Sequence, residues 1–147
     1  MGNLAIVYAS VHHKNTEKLV QAVAPALGAA CLDCETEKPD VSGYDTLIFA
    51  SGIFYHKLHK SLRAFIDGAD LAGKKAVVLY TCGIRYKDYA LAAQEQLASR
   101  GAEVLGNVWC RGWDTFGPFE KIGGIAKGHP NARDFTRVQR RLEKLLK

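Results

Sequence analysis

Residues 10–16, Ser-Val-His-His-Lys-Asn-Thr, stand between the apolar run Leu4–Ala9 and a helical stripe of Leu19, Val23 and Leu27. That order reads as strand end, polar bend and helix mouth. A helix N-terminus presents unpaired N–H groups and the positive end of the macrodipole, so it welcomes an anion. Ser10, Asn15 and Thr16 add hydrogen-bonding side chains, and Lys14 adds a full positive charge. His12 and His13 either donate to a phosphate or become partly charged near neutral pH. The chemistry this favours is phosphate binding. The plainer reading is that Asn15 or Thr16 caps the helix while both histidines are solvated.

Two further stretches combine small hydroxyl residues, glycines and aromatics, although a loop merely turning the chain needs no tyrosine: "SGIFYHKLH" from Ser51 and "TCGIRYKDY" from Thr81. Ser51-Gly52 permits close backbone approach to a flat ligand, because glycine has no Cβ. Phe54, Tyr55, Tyr86 and Tyr89 offer faces for a planar ring. Tyr89 is the weakest of these, since it also belongs to a helix stripe. Other chemistries fit less well. His12, His13, His56 and His59 are conceivable metal ligands, but no carboxylate or cysteine completes the set. Cys82 lies near an expected helix start that would lower its pKa, yet has no committed base beside it. Cys31 and Cys34 have C-x-x-C spacing inside a strand-like segment with no second pair, so a structural or incidental role is expected.

The elements that must position these residues alternate along the chain. Strands are expected at Leu4 to Ala9, Ala29 to Asp33, Thr46 to Ala50, Lys75 to Tyr80 and Glu103 to Val108. Their short unbroken apolar runs suit strands covered on both faces. One helix carries Leu19, Val23 and Leu27; a second carries Leu58, Leu62, Phe65 and Ile66. A third runs from about Lys87 to Arg100, with Tyr89, Ala93 and Leu97 on one side and Gly101 as its cap. In the last, Pro130 is tolerated in the first turn, Asn131 caps with Asp134, and Phe135, Val138, Leu142 and Leu145 form the stripe. This pattern predicts a single α/β domain over 1–147: a three-layer sandwich whose five-stranded parallel sheet, in the order 2-1-3-4-5, has helices on both faces. Ligands of such sheets bind where the strand order reverses, beyond the carboxyl ends of strands one and three. The polar and aromatic loops all converge there.

The chain has 147 residues, 48% hydrophobic and 24% charged, which is globular composition. No apolar run approaches the roughly 18–20 residues of a membrane span. No signal-like segment precedes the first strand, and the four cysteines are expected to be reduced in a cytoplasm. The net charge of +5 sits partly on the last helix, where it alternates with the apolar stripe and reads as a solvated face rather than a nucleic-acid surface.

"IVYASVHHKNTEKLVQAVA" resembles the phosphate-loop segment of the flavodoxin superfamily, in which Thr/Ser-rich residues and Gly-Asn-Thr lead into the first helix. "ASGIFYHKLHKSLRAFID", "YTCGIRYKDY" and "CRGWDTFGPFEKIGGIAKGHPNARDF" resemble later segments of short, single-domain flavodoxin-like proteins. The resemblance covers nearly the whole chain. It implies non-covalent FMN, with the phosphate on Ser10, His12, His13, Lys14, Asn15 and Thr16. The isoalloxazine would lie between Ser51, Gly52, Ile53, Phe54 and Tyr55 on one side and Thr81, Cys82, Gly83 and Tyr86 on the other. A backbone group near Gly52 or Ile53 would face the flavin N5 and tune the singly reduced flavin.

The implied role is electron transfer to a redox partner protein or a small acceptor, by a monomer or homodimer, as a carrier ahead of a substrate-converting enzyme. Lys14 and His56 depart from the family pattern, which has glycine or another small residue at these points. The positive charge departs from the acidic surfaces usual in electron-carrier flavodoxins. Two alternatives therefore stand beside the carrier: a flavin-free binding or regulatory module, and an FMN-dependent reductase or dehydrogenase of a quinone or porphyrinogen. For the latter, the segment Trp109–Lys127 would supply a substrate wall; otherwise it covers the sheet edge or a dimer contact.

Overall fold

Leu4–Ala9 forms β1, and all six of its residues are buried. A strand buried throughout needs cover on both faces. The computed structural model, which describes residues 3–9, 15–35, 38–54, 56–85, 87–112 and 126–147, shows how the chain supplies it. The remaining elements are α1 (Asn15–Leu27), β2 (Ala30–Asp33), β3 (Thr46–Phe54), β4 (Lys57–Leu58), α2 (Lys60–Asp67), β5 (Lys75–Cys82), α3 (Leu91–Ser99), β6 (Glu103–Arg111) and α4 (Ala132–Leu146).

The main sheet has the order β2-β1-β3-β5-β6, with every neighbouring pair parallel. Its five principal strands thus reproduce the predicted order 2-1-3-4-5. The addition is β4, which pairs antiparallel with β3 through Ile53↔Leu58 and Phe54↔Lys57. Side-chain alternation divides the core in two. Val7, Phe49, Val78 and Tyr80 face α2 and α3 with Leu62, Ile66 and Leu97. Ile6, Ile48, Val77 and Leu79 face α1 and α4 with Leu19, Val23, Val138 and Leu142. A fully buried aliphatic side chain contributes about 1.5–3 kcal/mol, so each face contributes substantially to folding.

Five boundaries at the carboxyl edge of the sheet differ from the sequence reading. β3, β5 and β6 run on past Ala50, Tyr80 and Val108, so parts of the expected loops are strand. Leu58 is buried but belongs to β4, because His59 caps α2 and starts it at Lys60. Tyr89 is buried in the same cluster as Ala93 and Leu97 yet precedes α3, which begins at Leu91.

Elsewhere the expected punctuation holds. Gly101 follows α3 at φ 94°, and a Cβ there would approach Ala72 Cα to 3.0 Å. Asn131 and Asp134 form the expected reciprocal capping box on α4, but Pro130 stands one residue before the cap and not in the first turn. Among the described residues, no helix is long and apolar enough to cross a membrane.

Candidate functional site

The parallel register brings four strand ends together. Ala9 lies opposite Ser51, Gly52 opposite Thr81, and Cys82 opposite Arg111. This is the crevice where the strand order reverses, between β1 and β3, with α1 starting beside it. Asn15 and Thr16 open α1 and are both buried. Thr16 Oγ1 lies 3.2 Å from Thr81 Oγ1, a buried hydroxyl pair linking the mouth of α1 to the end of β5. Gly112, just beyond β6, packs against Asn15. A Cβ on Gly112 would stand 2.8 Å from Asn15 Nδ2 and 3.0 Å from its Cγ. Its amide donates to the Cys82 carbonyl at 3.0 Å, which fixes the backbone at that approach. Asn15, Thr16, Thr81 and Gly112 thus form one polar corner drawn from α1, β5 and the residue that follows β6.

The second loop is a hairpin. Ser51 is fully buried, accepts the His59 amide at 2.8 Å and donates to the Gly52 carbonyl, so its hydroxyl organises the hairpin. Gly52 is half-buried, and a Cβ there would meet the Phe54 ring at 3.4 Å and Thr81 Oγ1 at 3.7 Å. Ile53 and Phe54 are half-buried on β3, and Phe54 meets the His59 ring edge-on at 5.1 Å. His56, where the family pattern has glycine or another small residue, turns the hairpin at φ 68°, a left-handed conformation that favours glycine. Its ring rests on Tyr89 at 5.8 Å.

In the third loop, Thr81, Cys82 and Gly83 are buried, and the Gly83 carbonyl accepts Arg111 Nε at 3.2 Å. Cys82 closes β5 nine residues ahead of α3, so the expected helix start beside it is not there. Ser10, His12, His13, Lys14, Tyr55 and Tyr86 lie outside the described residues, as does 113–125 of the Trp109–Lys127 segment.

Two arrangements escape sequence reasoning. The first joins β5, α3 and β6. Arg85 Nε donates to the Tyr80 hydroxyl at 2.7 Å, and that hydroxyl donates to Asp88 at 3.3 Å. Asn107 donates to Asp88 at 3.0 Å and to Gln94 at 2.6 Å. Arg85 lies 5.1 Å over the Trp109 ring, which stacks on Tyr80. Burial raises the Tyr80 pKa against the lowering effect of the Arg85 hydrogen bond, keeping the phenol neutral. The one local signal was the "DYA" that precedes α3, where Asp88 accepts the Ala90 amide two residues on, as an Asx turn does.

The second arrangement surrounds the start of α2. His59 Nδ1 is 3.1 Å from the Ser61 amide and 2.9 Å from Glu35 Oε1, and the Ser61 hydroxyl donates to Glu35. Cys34 Sγ lies 3.9 Å from Ser61 Oγ, and burial pushes its thiol up to about 11. A thiol so raised is not a redox nucleophile. All four cysteines are free, and Cys31 is exposed on β2. Among the described residues no His, Cys, Asp or Glu cluster has the makings of a metal site.

A doubly wound sheet with its polar corner at the β1/β3 crevice defines a flavodoxin-like protein. The sequence matches the flavodoxin domain family over residues 5–111, and the chain belongs to that family. It is 36% identical over 145 residues to an uncharacterized protein of Methanocaldococcus jannaschii, covering 97% of each chain. Oxidised Flavodoxin 2 from Bacillus cereus shares the fold at a TM-score of 0.72 and 19% identity, over 98% of this chain and 97% of that one. A mutant flavodoxin of Fusobacterium nucleatum bound to flavin mononucleotide does so at 0.70 and 13% identity, over 99% and 96%.

Proposed function

We propose that this chain binds FMN non-covalently at the carboxyl edge of its sheet and transfers electrons between a donor and an acceptor. The observation that carries this reading is the polar corner. At the mouth of a 13-residue helix, Thr16 meets Thr81 from β5 and Asn15 packs against Gly112. Hydroxyl and amide groups at a helix N-terminus suit the acceptor oxygens of a phosphate monoester. Ser10, His12, His13 and Lys14 would complete the cradle from the segment that joins β1 to α1.

The isoalloxazine would lie against Gly52, Ile53, Phe54 and Tyr55 on one side and Thr81, Cys82, Gly83 and Tyr86 on the other. When bound, the flavin supplies one- or two-electron chemistry. The chain's own contribution is position and environment. Gly52 keeps the end of β3 free of a Cβ, and Ser51 holds the hairpin from within. His56 makes the hairpin turn at a point where the family pattern has glycine or another small residue, and β3 and β4 pair on either side of it. The free cysteines suit a reducing cytoplasm.

The test is the visible absorption spectrum of purified protein, before and after reconstitution with FMN and gel filtration. Flavin bands that co-elute with the protein are the expected result. If no flavin is retained and FMN fluorescence is unquenched by the protein, the flavin-free binding module takes its place.

A further inference from the structure

The loop between β5 and α3 holds an unusual combination. Ile84 and Leu91 are the exposed large hydrophobic side chains among the described residues, at 42% and 56% exposure, and they bracket this loop. Exposed cations surround them. Arg85 and Lys87 lie within the loop, Lys57 on the neighbouring β4, and Arg111 at the end of β6. These cations are positioned by contacts. Arg85 sits over Trp109, Lys87 lies 5.8 Å over Tyr89, and Arg111 is bonded to the Gly83 carbonyl. His56 reaches the same Tyr89 ring from the hairpin, so the β3–β4 and β5–α3 loops form one continuous surface. The carboxylate in this loop, Asp88, is occupied by the Ala90 amide, Tyr80 and Asn107, and it lies 3.9 Å from Arg85, whose charge it offsets in part, so Lys57, Lys87 and Arg111 carry the net positive charge of the surface.

We infer that this surface docks an acidic protein, and that its cations replace the acidic docking face usual for carriers of this fold. An apolar centre with a charged rim is the anatomy of a protein interface. Cations already held over aromatic rings lose less side-chain freedom on binding than free ones. The surface spans β3 to β6 at the strand ends, two interstrand steps or roughly 10 Å, and it is spread outward rather than gathered into a pocket. A small anion would want convergent donors instead. The basic stripe on α4, comprising Arg133, Arg137, Arg140, Arg141 and Lys144, is exposed too but carries no exposed large apolar side chain. That the docked partner exchanges electrons rests on the FMN reading, because this surface borders the proposed isoalloxazine site.

The experiment is an NMR titration of the ¹⁵N-labelled full chain with an acidic [2Fe–2S] ferredoxin, and with basic cytochrome c as the opposite-charge probe. Shifts at residues 56–57, 84–91 and 111 with ferredoxin alone are expected. Lys57→Glu with Lys87→Glu should weaken binding by about tenfold, and Ile84→Ser should weaken it without changing its salt dependence. Arg140→Glu with Arg141→Glu should change affinity by less than about twofold.

Shifts confined to 133–144, an equal response to cytochrome c, or no loss in the Lys57/Lys87 variant would overturn the assignment. The titration reads backbone amides and needs no flavin. Docking without retained FMN therefore refutes the electron-transfer role and keeps the surface. Retained FMN without docking refutes the surface alone.

Discussion

α1, α2 and α4 all begin at the same edge of the sheet, yet they meet it in opposite ways. α2 is closed by its own side chains: His59 Nδ1 faces the Ser61 amide, with Glu35 beside it. α4 is closed by its capping box, in which Asn131 accepts the Asp134 amide at 3.1 Å and Asp134 accepts the Asn131 amide at 2.8 Å. At α1, the opening side chains are neutral and turn toward other strands, Asn15 to Gly112 and Thr16 to Thr81. A helix dipole alone therefore does not designate a site. What distinguishes α1 is that its mouth is tied to the ends of β5 and β6, where a ligand's other half would lie.

The largest effect that would break this contrast comes from Gly112→Ala. Its Cβ would arrive 2.8 to 3.1 Å from three atoms of Asn15, while the Cys82 carbonyl holds the backbone in place. Overpacking of this kind costs about 1–3 kcal/mol. FMN affinity should fall by more than about tenfold, or ~1.4 kcal/mol, in a fluorescence titration. Unchanged affinity would separate Asn15 from the phosphate site.

Asp134→Asn tests a closed mouth and should leave FMN affinity unchanged while lowering stability by about 1–2 kcal/mol. Its pH dependence has a definite sign. Burial raises the Asp134 pKa, but hydrogen bonds from His129 and the Asn131 amide, with the charges of His129 and Arg137, more than offset it. The net pKa lies below the usual 3.8. A carboxylate depressed on folding stabilises above its unfolded pKa, and that stability is lost as pH falls through the folded one. The gap in melting temperature between wild type and Asp134→Asn should be full well above the unfolded carboxylate's pKa of about 3.9 and shrink as the pH falls below it.

What the sequence disclosed follows the same division between closed and shared features. The inner strands, the capping box and Gly101 are local: each is written in a short run of residue types and is found there, although β3 and β5 run on past their expected ends and the outer strands β2 and β6 are only partly covered. The strand order followed from alternation and handedness. What escaped depends on partners far apart in sequence. Ser51 reads as a ligand contact but is spent on the His59 amide, eight residues away. Leu58 has helical spacing from Leu62, yet the two-residue β4 claims it, since a buried leucine serves either element. Gly112 has no local signature at all, because its role exists only once Asn15 is packed against it across the sheet edge.

The hydroxyl pair sharpens the description of the open mouth. Thr16→Val leaves Thr81 Oγ1 buried without its 3.2 Å partner, and Thr81→Val does the converse. Each should cost about 1–2 kcal/mol in urea unfolding, because a buried hydroxyl without a partner keeps its desolvation penalty. The double substitution removes both hydroxyls and should cost less than the sum, giving a coupling near 1 kcal/mol in a double-mutant cycle. Strict additivity would mean that each hydroxyl finds another partner, and the tie between α1 and β5 would lose its basis.

The smallest effect probes the other closed mouth. His59→Ala removes the imidazole that caps α2 and should cost about 1 kcal/mol, whereas His59→Asn keeps a capping acceptor and should cost a few tenths. Neither should move FMN affinity by more than about twofold, although His59 touches Phe54 in the hairpin beside the proposed ring site. The reason is that the hairpin is held by the backbone: Ser51 Oγ takes the His59 amide, which any residue provides. Thermal melts would rank the two variants, and the FMN titration would test their independence from the ligand. A loss of affinity in both would mean that the ring itself, through Phe54, shapes the flavin pocket, and α2 would then join α1 as part of the site.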